Sequence, residues 1–376
     1  MKKNLAILIN SFGSGGAERV VSILLRELKE FNITLVLLER DIFYDIPKDV
    51  EVIYLSNSNI NRSGVKKLLM LPIFAFKYKK ILKDKNIKIS LSFLTRSNYV
   101  NTIAKFFGSK AKTIISERSY FSFVYGDKDL NSFINKKLVS LYRFANIATA
   151  NSKGSALDLA KNYKVKNVKV IYNPIDIEKI NALKSKKIDL LKKRFTLITI
   201  GRLVKEKNHS LIIDAIKDID VDLWIIGDGE LKYELEEKIK SLSIEDRVFL
   251  LGREENPYKF LDKADAFVFA SNYEGFPNVL IEALACKLPV ISTDCLSGPR
   301  EILAPNTEYK NLEDIEVAEY GVLTPVGNLN SLKKAINLIK NNAKLREEYI
   351  SKSYKRLEPL TIKNITKEWN KLLKES

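Results

Sequence analysis

The sequence predicts an α/β protein made of two doubly wound parallel sheets. Three observations lead there. Short apolar runs alternate with segments of helical spacing along the whole chain. Glycine-rich loops follow several of the apolar runs. The alternation stops at a polar, Lys-rich stretch near the middle and then begins again, which suits two domains in 376 residues.

In the first series, Leu5–Ile9 is a continuous apolar run, the signature of a strand covered on both faces. A glycine-rich loop follows, then helical spacing over Val20–Glu30. Further strands are predicted at Ile33–Leu38, Ile87–Phe93, Thr113–Ser116, Ile147–Ala150 and Val168–Tyr172. Asn173-Pro174-Ile175-Asp176 breaks the pattern, and a linker is expected from there to Arg194. The second series has strands at Thr196–Ile200, Leu223–Ile226, Val248–Leu251, Ala266–Phe269 and Val290–Ser292. Thr361–Lys374 reads as a closing helix with Ile365, Trp369, Leu372 and Leu373 on one side. The expected domains are 1–180 and 186–355, with 356–376 crossing back to the first.

Composition narrows the chemistry. Two cysteines, Cys286 and Cys295, are too few for a disulfide framework and fit a reducing cytosol. A single histidine, His209, leaves no material for a His-based zinc site or a His triad. The longest apolar run, Leu68–Phe76, is nine residues and contains Pro72, whereas a spanning helix needs about 20. No secretory leader is read at the start, and no membrane span is expected. The net charge of +17 is uneven: residues 1–180 hold 31 Lys and Arg against 15 Asp and Glu, residues 181–376 hold 32 against 31. The first half is expected to face an anionic partner.

Four segments carry candidate chemistry. Gly13-Ser-Gly15-Gly16-Ala-Glu18-Arg19 lies between a strand and a helix; it is an anion cradle or a tight turn. It fails the dinucleotide fingerprint because Glu18 stands where Gly or Ala belongs. Glu39, at the end of the second strand, imitates a ribose-binding acid and keeps a dehydrogenase among the rivals. Gly201-Arg202 ends a strand and is followed by Lys205, Lys207, Asn208 and His209, a phosphate clamp or a solvated basic loop. Gly227-Asp228-Gly229 reads as a turn beside a ligand crevice. In Ser271–Pro289, Gly275 and Pro277 shape a loop, Asn278 suits the cap of a helix starting at Val279, and Glu274 and Glu282 flank it. Acids at a helix start compensate its dipole, but this pair around an anion loop suits a ligand with both phosphates and hydroxyls.

Together these segments resemble the retaining glycosyltransferases of family four. Glu274 and Glu282 match that family's E-x7-E motif, and Gly201–Asn208, Gly227–Gly229 and Pro289–Asp294 follow its order, with Asn173–Asp176 as the hinge. The resemblance covers essentially the whole chain. It implies a GT-B architecture: two facing Rossmann-like domains with an interdomain cleft, the donor held mostly by the C-terminal one. It further implies that Arg202 and Lys207 bind the diphosphate of a UDP-sugar and that Glu282 holds the ribose. Glu274, with the backbone of Gly275, Phe276, Pro277, Asn278 and Val279, would hold the transferred sugar. Arg253 would lie near the base, Gly15 and Gly16 against the diphosphate, and Asn173 in the binding region. The closer likeness, through Gly15–Arg19, Asn278–Glu282 and Ser297–Glu301, is to transferases that add N-acetylgalactosamine to polyprenyl-diphosphate-linked glycans in bacterial N-glycosylation. The histidine that many members carry in the first domain is absent; Ser116-Glu117-Arg118 occupies a comparable loop, with Glu117 or Arg118 as its substitute.

The implied reaction retains configuration and uses no protein nucleophile, metal or cofactor. The pairs Asp127/Asp129 and Asp220/Asp222 are read as structural rather than as metal ligands. A capsule or lipopolysaccharide transferase with another hexose donor, a sugar-nucleotide epimerase, a dehydrogenase and a non-catalytic lipid- or glycan-binding protein are the rivals. Residues 62–85 place eight cations and one acid around an apolar, aromatic stretch. That composition fits an interfacial segment on anionic lipid, or a core helix with a basic outer face. No nucleic-acid motif appears, so the expected location is cytoplasmic, peripheral at the inner face of the plasma membrane.

Overall fold

In the computed structural model, residues 2–56, 64–126, 130–188 and 192–375 are described. The chain forms two compact units, Met1–Pro174 with Ile362–Ser376, and Ile175–Thr361. The boundaries therefore fall at 174 and 361 rather than at 180 and 355. The segment expected as linker contains helix Ile177–Lys184, capped by the Asp176 carboxylate, which accepts from Lys179 N–H.

The first unit is built on a parallel sheet of β1 (Lys3–Ile9), β2 (Phe31–Leu37), β3 (Glu51–Tyr54), β4 (Ile89–Phe93), β5 (Lys112–Glu117), β6 (Ile147–Ala150) and β7 (Val168–Val170), in the order β3-β2-β1-β4-β5-β6-β7. The second sheet comprises β8 (Thr196–Ile200), β9 (Asp222–Ile226), β10 (Val248–Gly252), β11 (Ala266–Phe269), β12 (Val290–Thr293), β13 (Glu316–Val317) and β14 (Val322–Thr324). Its order is β10-β9-β8-β11-β12-β14-β13, with β13 antiparallel at the edge. β3, β13 and β14 were not expected: they are short, and β3 and β13 lie at sheet edges without a continuous apolar run.

Leu5 to Ile9 are all 0% exposed, because helices cover both faces of a parallel strand. Each sheet reverses direction once, between β1 and β4 and between β8 and β11. At such a point the loops leaving adjacent strand ends turn opposite ways, and ligands bind in the gap.

Helix Thr95–Phe106 departs from the apolar rule. Ser92 Oγ donates to Asn98 Oδ1 at 2.8 Å, Ser90 Oγ to Asn101 Oδ1 at 2.7 Å, and Tyr78 OH lies 2.6 Å from Ser90 Oγ, all buried. Because every one of these groups finds a partner, the polar interior is not a defect. Helix Ile362–Lys374 packs into the first unit through Ile365, Trp369, Leu372 and Leu373. The Trp369 ring is fully enclosed, 5.6 Å from that of Phe93 at the end of β4. Trp369→Ala should cost about 3–5 kcal/mol by opening a cavity there, read as a lowered midpoint in urea unfolding.

Candidate functional site

The second unit gathers its loops at the carboxyl edge of its sheet. Gly201–His209 follows β8, Gly227–Gly229 follows β9, Arg253 follows β10, Ser271–Asn278 follows β11 and Asp294–Gly298 follows β12. The β8 and β11 loops flank the point where strand order reverses.

Close backbone approach sets the shape. A Cβ on Gly227, which has φ +150°, would lie 1.9 Å from the Gly201 carbonyl oxygen, and one on Gly229 would lie 2.5 Å from that of Leu203. Glycine is thus required for the β9 loop to tuck beneath the β8 loop. The 3₁₀ turn Lys205–Lys207 and a left-handed Asn208 (φ +50°) then lead into helix His209–Ile216. Asn208 Nδ2 donates to Asn272 Oδ1 at 3.3 Å, and Asn272 N–H to the Glu206 carbonyl at 2.8 Å, which ties the β8 loop to the β11 loop.

Across that tie the Lys207 ammonium pairs with the Glu274 carboxylate, the two side chains being 21% and 12% exposed. The ammonium also lies 5.5 Å over the Phe269 ring. Two residues predicted for different jobs, one for phosphate and one for sugar, therefore meet at one point. Arg202 is exposed beside them. Glu282, 4% exposed, is enclosed within helix Asn278–Ala285, and Arg253 is exposed past Gly252. Asn278 does not cap that helix: it is the first helical residue, Pro277 holds the cap position with no side-chain bond, and Val279 follows half-buried. The helix start is held instead from behind. Ser297 Oγ donates to the Gly275 carbonyl at 2.7 Å, and Gly298, at φ +94°, approaches so closely that a Cβ would meet Pro277 Cδ at 2.5 Å and the Phe276 Cα at 3.1 Å. Arg300 anchors this support, with Nη2 2.6 Å from Asp294 Oδ2 and 3.0 Å from Glu316 Oε2. Sequence reasoning used Ser297–Glu301 only as part of the family likeness and gave it no role in the site; the Gly298-Pro299 pair was the available signal.

In the first unit the outcome differs. The Glu117 carboxylate is 1% exposed and accepts from Tyr142 OH at 2.8 Å, Thr95 Oγ1 at 3.0 Å, Arg118 N–H at 3.0 Å and Ser119 Oγ at 3.1 Å. Burial raises its pKa against those donors. It faces inward, with its oxygens taken by donors of its own unit. Arg118 instead reaches Asn173 Oδ1 through Nη2 and crosses the Phe93 ring at 5.6 Å. The glycine loop is not an open cradle. The Glu18 carboxylate folds over Gly15, where a Cβ would lie 2.2 Å from Oε2, and Asp41 covers Gly13. Burial raises the Glu18 pKa, and the Asp41 charge adds to it. Gly16 opens helix Gly16–Glu27 under that acid. Glu39 is paired with Arg96 at 2.7 Å, so the acid that imitates a dehydrogenase's ribose ligand is engaged elsewhere. Asp220 and Asp222 both bind Arg194, at 3.0 and 3.1 Å; Asp127 and Asp129 lie outside the described residues.

Known proteins bear on this geometry. The model of glycosyl transferases group 1 matches residues 181–356, and that of glycosyltransferase family 4 matches 14–179. A Campylobacter jejuni protein, N-acetylgalactosamine-N,N'-diacetylbacillosaminyl-diphospho-undecaprenol 4-alpha-N-acetylgalactosaminyltransferase, is 40% identical over 93% of this chain and 94% of its own. Among solved structures, sucrose-phosphate synthase from Thermosynechococcus elongatus superposes with a TM-score of 0.82 at 16% identity, covering 100% of this chain and 99% of its own. Anabaena HepE in complex with UDP does so at 0.74 and 19% identity, covering 100% of both.

His209 is a structural member of the site. Its Nε2 lies 3.3 Å from the Arg202 carbonyl, and burial lowers its pKa from 6.5 to about 4. The folded chain thus binds fewer protons than the unfolded chain below pH 6.5. The contribution of His209 to stability is intact above pH 6.5 and is lost as pH drops toward about 4. His209→Gln should flatten that part of the pH–stability curve, measured by urea unfolding at stepped pH.

Proposed function

Since the chain belongs to the glycosyltransferases of family 4 and has their GT-B fold, we propose that it moves N-acetylgalactosamine from a UDP-sugar to an undecaprenyl-diphosphate-linked glycan, with retained configuration. The observation that carries this reading is the meeting of Lys207 and Glu274 at the switch point of the second sheet. The choice of sugar and acceptor rests on what the 40%-identical Campylobacter relative acts on.

Without donor, Lys207 and Glu274 neutralise each other. A UDP-sugar replaces that pair on both sides: the diphosphate takes Lys207 and Arg202, and the sugar hydroxyls take Glu274. Glu282 holds the ribose, Arg253 lies toward the base, and the N–H groups of Gly275, Phe276, Asn278 and Val279 face the diphosphate at the helix start. The bond from the sugar's C1 to the β-phosphate oxygen breaks, and an acceptor hydroxyl oxygen bonds to C1 on the same face. The hydroxyl proton passes to the departing phosphate oxygen. Charge grows on that phosphate, so the residues that matter are fixed cations and a helix dipole. In this reading the first unit holds the acceptor, with Arg118 and Asn173 at its strand ends and Gly15 and Gly16 contributing backbone only.

An acceptor on a lipid brings the enzyme to a membrane. No helix among the described residues is long and apolar enough to cross one. Helix Leu71–Asp84 buries Leu71, Phe74, Ala75, Tyr78 and Leu82, yet its outer face exposes Ile73 at 50% and Phe76 at 65%. Lys77, Lys80 and Lys83 stand exposed around them. The buried face supports the core-helix reading, and the outer face is what supports the interfacial one. The outer face suits insertion into an anionic leaflet, apolar groups down and lysines at the headgroups. The start of the 62–85 segment lies outside the described residues.

With chelator present throughout, wild-type enzyme should keep its turnover, and Lys207→Ala should lose about 10²–10³ in kcat while its unfolding midpoint shows an intact fold. Wild-type rates in that variant would remove the clamp. In flotation assays, vesicles containing anionic phospholipid should carry the protein and zwitterionic vesicles should carry far less. Equal binding to both would remove the electrostatic part of the membrane reading.

A further inference from the structure

The loop after β2 carries two large apolar side chains into solvent, Ile42 at 50% exposure and Phe43 at 58%. Single exposed apolar residues are ordinary, but this pair is held rigidly. Phe12 N–H donates to the Asp41 carbonyl at 2.8 Å, Phe43 N–H donates to the Phe12 carbonyl at 2.9 Å, and Phe12 forms a parallel bridge with Ile42. The Phe43 ring stands edge-on to Tyr44 at 5.1 Å, and Tyr44 packs at 5.8 Å on Phe12, which is fully buried. An aromatic ring clamped this way loses little freedom when a ligand covers it.

The polar groups at this corner have the wrong sign for phosphate or anionic lipid. Asp41 lies over Gly13, Glu18 over Gly15, and Asp45 is exposed next to Tyr44. Arg40 turns onto the Tyr54 ring at 4.8 Å, and Arg96 is taken by Glu39. Within the more basic half of the chain, this corner is acidic. An apolar ring beside carboxylates is complementary to a neutral sugar: a pyranose offers an apolar C–H face to the ring and hydroxyl or amide hydrogens to the acids. The corner also lies at the carboxyl edge of the first sheet, beside its switch point.

We propose that Phe43 and Asp41 form a sugar-binding subsite in the first unit that seats a pyranose of the acceptor glycan, Phe43 stacking on its face and Asp41 accepting from its hydroxyl or N-acetyl N–H. The subsite rests on the transferase reading above. It adds which surface of the first unit recognises the acceptor, and it separates glycan recognition from the basic helix that meets lipid.

The test uses the full chain, UDP-N-acetylgalactosamine and a water-soluble short-prenyl diphosphate carrying a glycan that ends in N-acetylgalactosamine. Phe43→Ala should raise the acceptor KM roughly tenfold, with donor KM and unfolding midpoint unchanged. Phe43→Trp should restore it, and Asp41→Asn should raise it less. An unchanged acceptor KM in Phe43→Ala overturns the subsite. So does a loss of vesicle flotation with KM intact, which would make Phe43 a lipid contact. If wild-type enzyme transfers nothing to this acceptor, the transferase reading fails first. Saturation-transfer NMR with methyl α-N-acetylgalactosaminide then decides the subsite alone: signal in wild type that disappears in Phe43→Ala supports it, and no difference between them refutes it.

Discussion

A parallel sheet that winds in both directions leaves a gap where its strand order turns around, and the second unit is organised by what fills that gap. The β8 and β11 loops leave adjacent strand ends and part company. The Asn208–Asn272 bond ties them to each other, and the two backbone approaches that only glycine permits, at Gly227 and Gly229, set the β9 loop against the β8 loop. Lys207 and Glu274 are the charged groups facing each other across the gap, and their pairing follows from that backbone. A partly buried cation left without its acid, or the reverse, costs more than the pair, which favours the two lying together. Ser297, Gly298 and Arg300 support the same loop from the far side. One face of the helix start is thereby left to a ligand while the other is fixed.

Much of this was legible in the residues. Continuous apolar strands, the glycine loops at their ends and the spacing of Glu274 and Glu282 are local signals, and local signals survive in a single sequence. What escaped depends on three-dimensional neighbours. Helix Thr95–Phe106 shows little apolar periodicity because its buried face carries Asn98, Asn101 and Thr102, each satisfied by atoms from other turns or from the β4 and β5 strands. Glu117 was expected as a substitute for the absent histidine because its loop is comparable; Tyr142 and Thr95 from other elements, with Arg118 N–H and Ser119 beside it, donate to its carboxylate and turn it inward. Asn278 has the chemistry of a cap, but Pro277 takes the position and Gly298 closes the approach. The glycine loop near residue 15 has the composition of an anion site, and the reach of the Glu18 side chain back over its own loop was invisible in the spacing.

The two halves of the chain divide their electrostatics in a way that the net charge hides. Most of the excess positive charge belongs to residues 1–180, yet the corner formed by Gly13, Glu18 and Asp41 is acidic. Lysines line the outer face of helix Leu71–Asp84, where apolar side chains also protrude. A substrate that is a sugar at one end, a diphosphate in the middle and a hydrocarbon at the other end would meet a surface of different charge and polarity with each part.

The docking of helix Ile362–Lys374 into the first unit has a consequence for how the protein is made. The wall that Trp369 completes is translated only after all of Ile175–Thr361. While the ribosome works through the second unit, the first is a sheet with one flank bare, its Phe93 ring without the neighbour it later acquires. That nascent intermediate lasts on the order of ten seconds or more at ordinary elongation rates. It is the stage at which chaperone capture and misassembly compete with maturation, and helix Ile362–Lys374 completes a domain whose other elements are synthesised before the second unit.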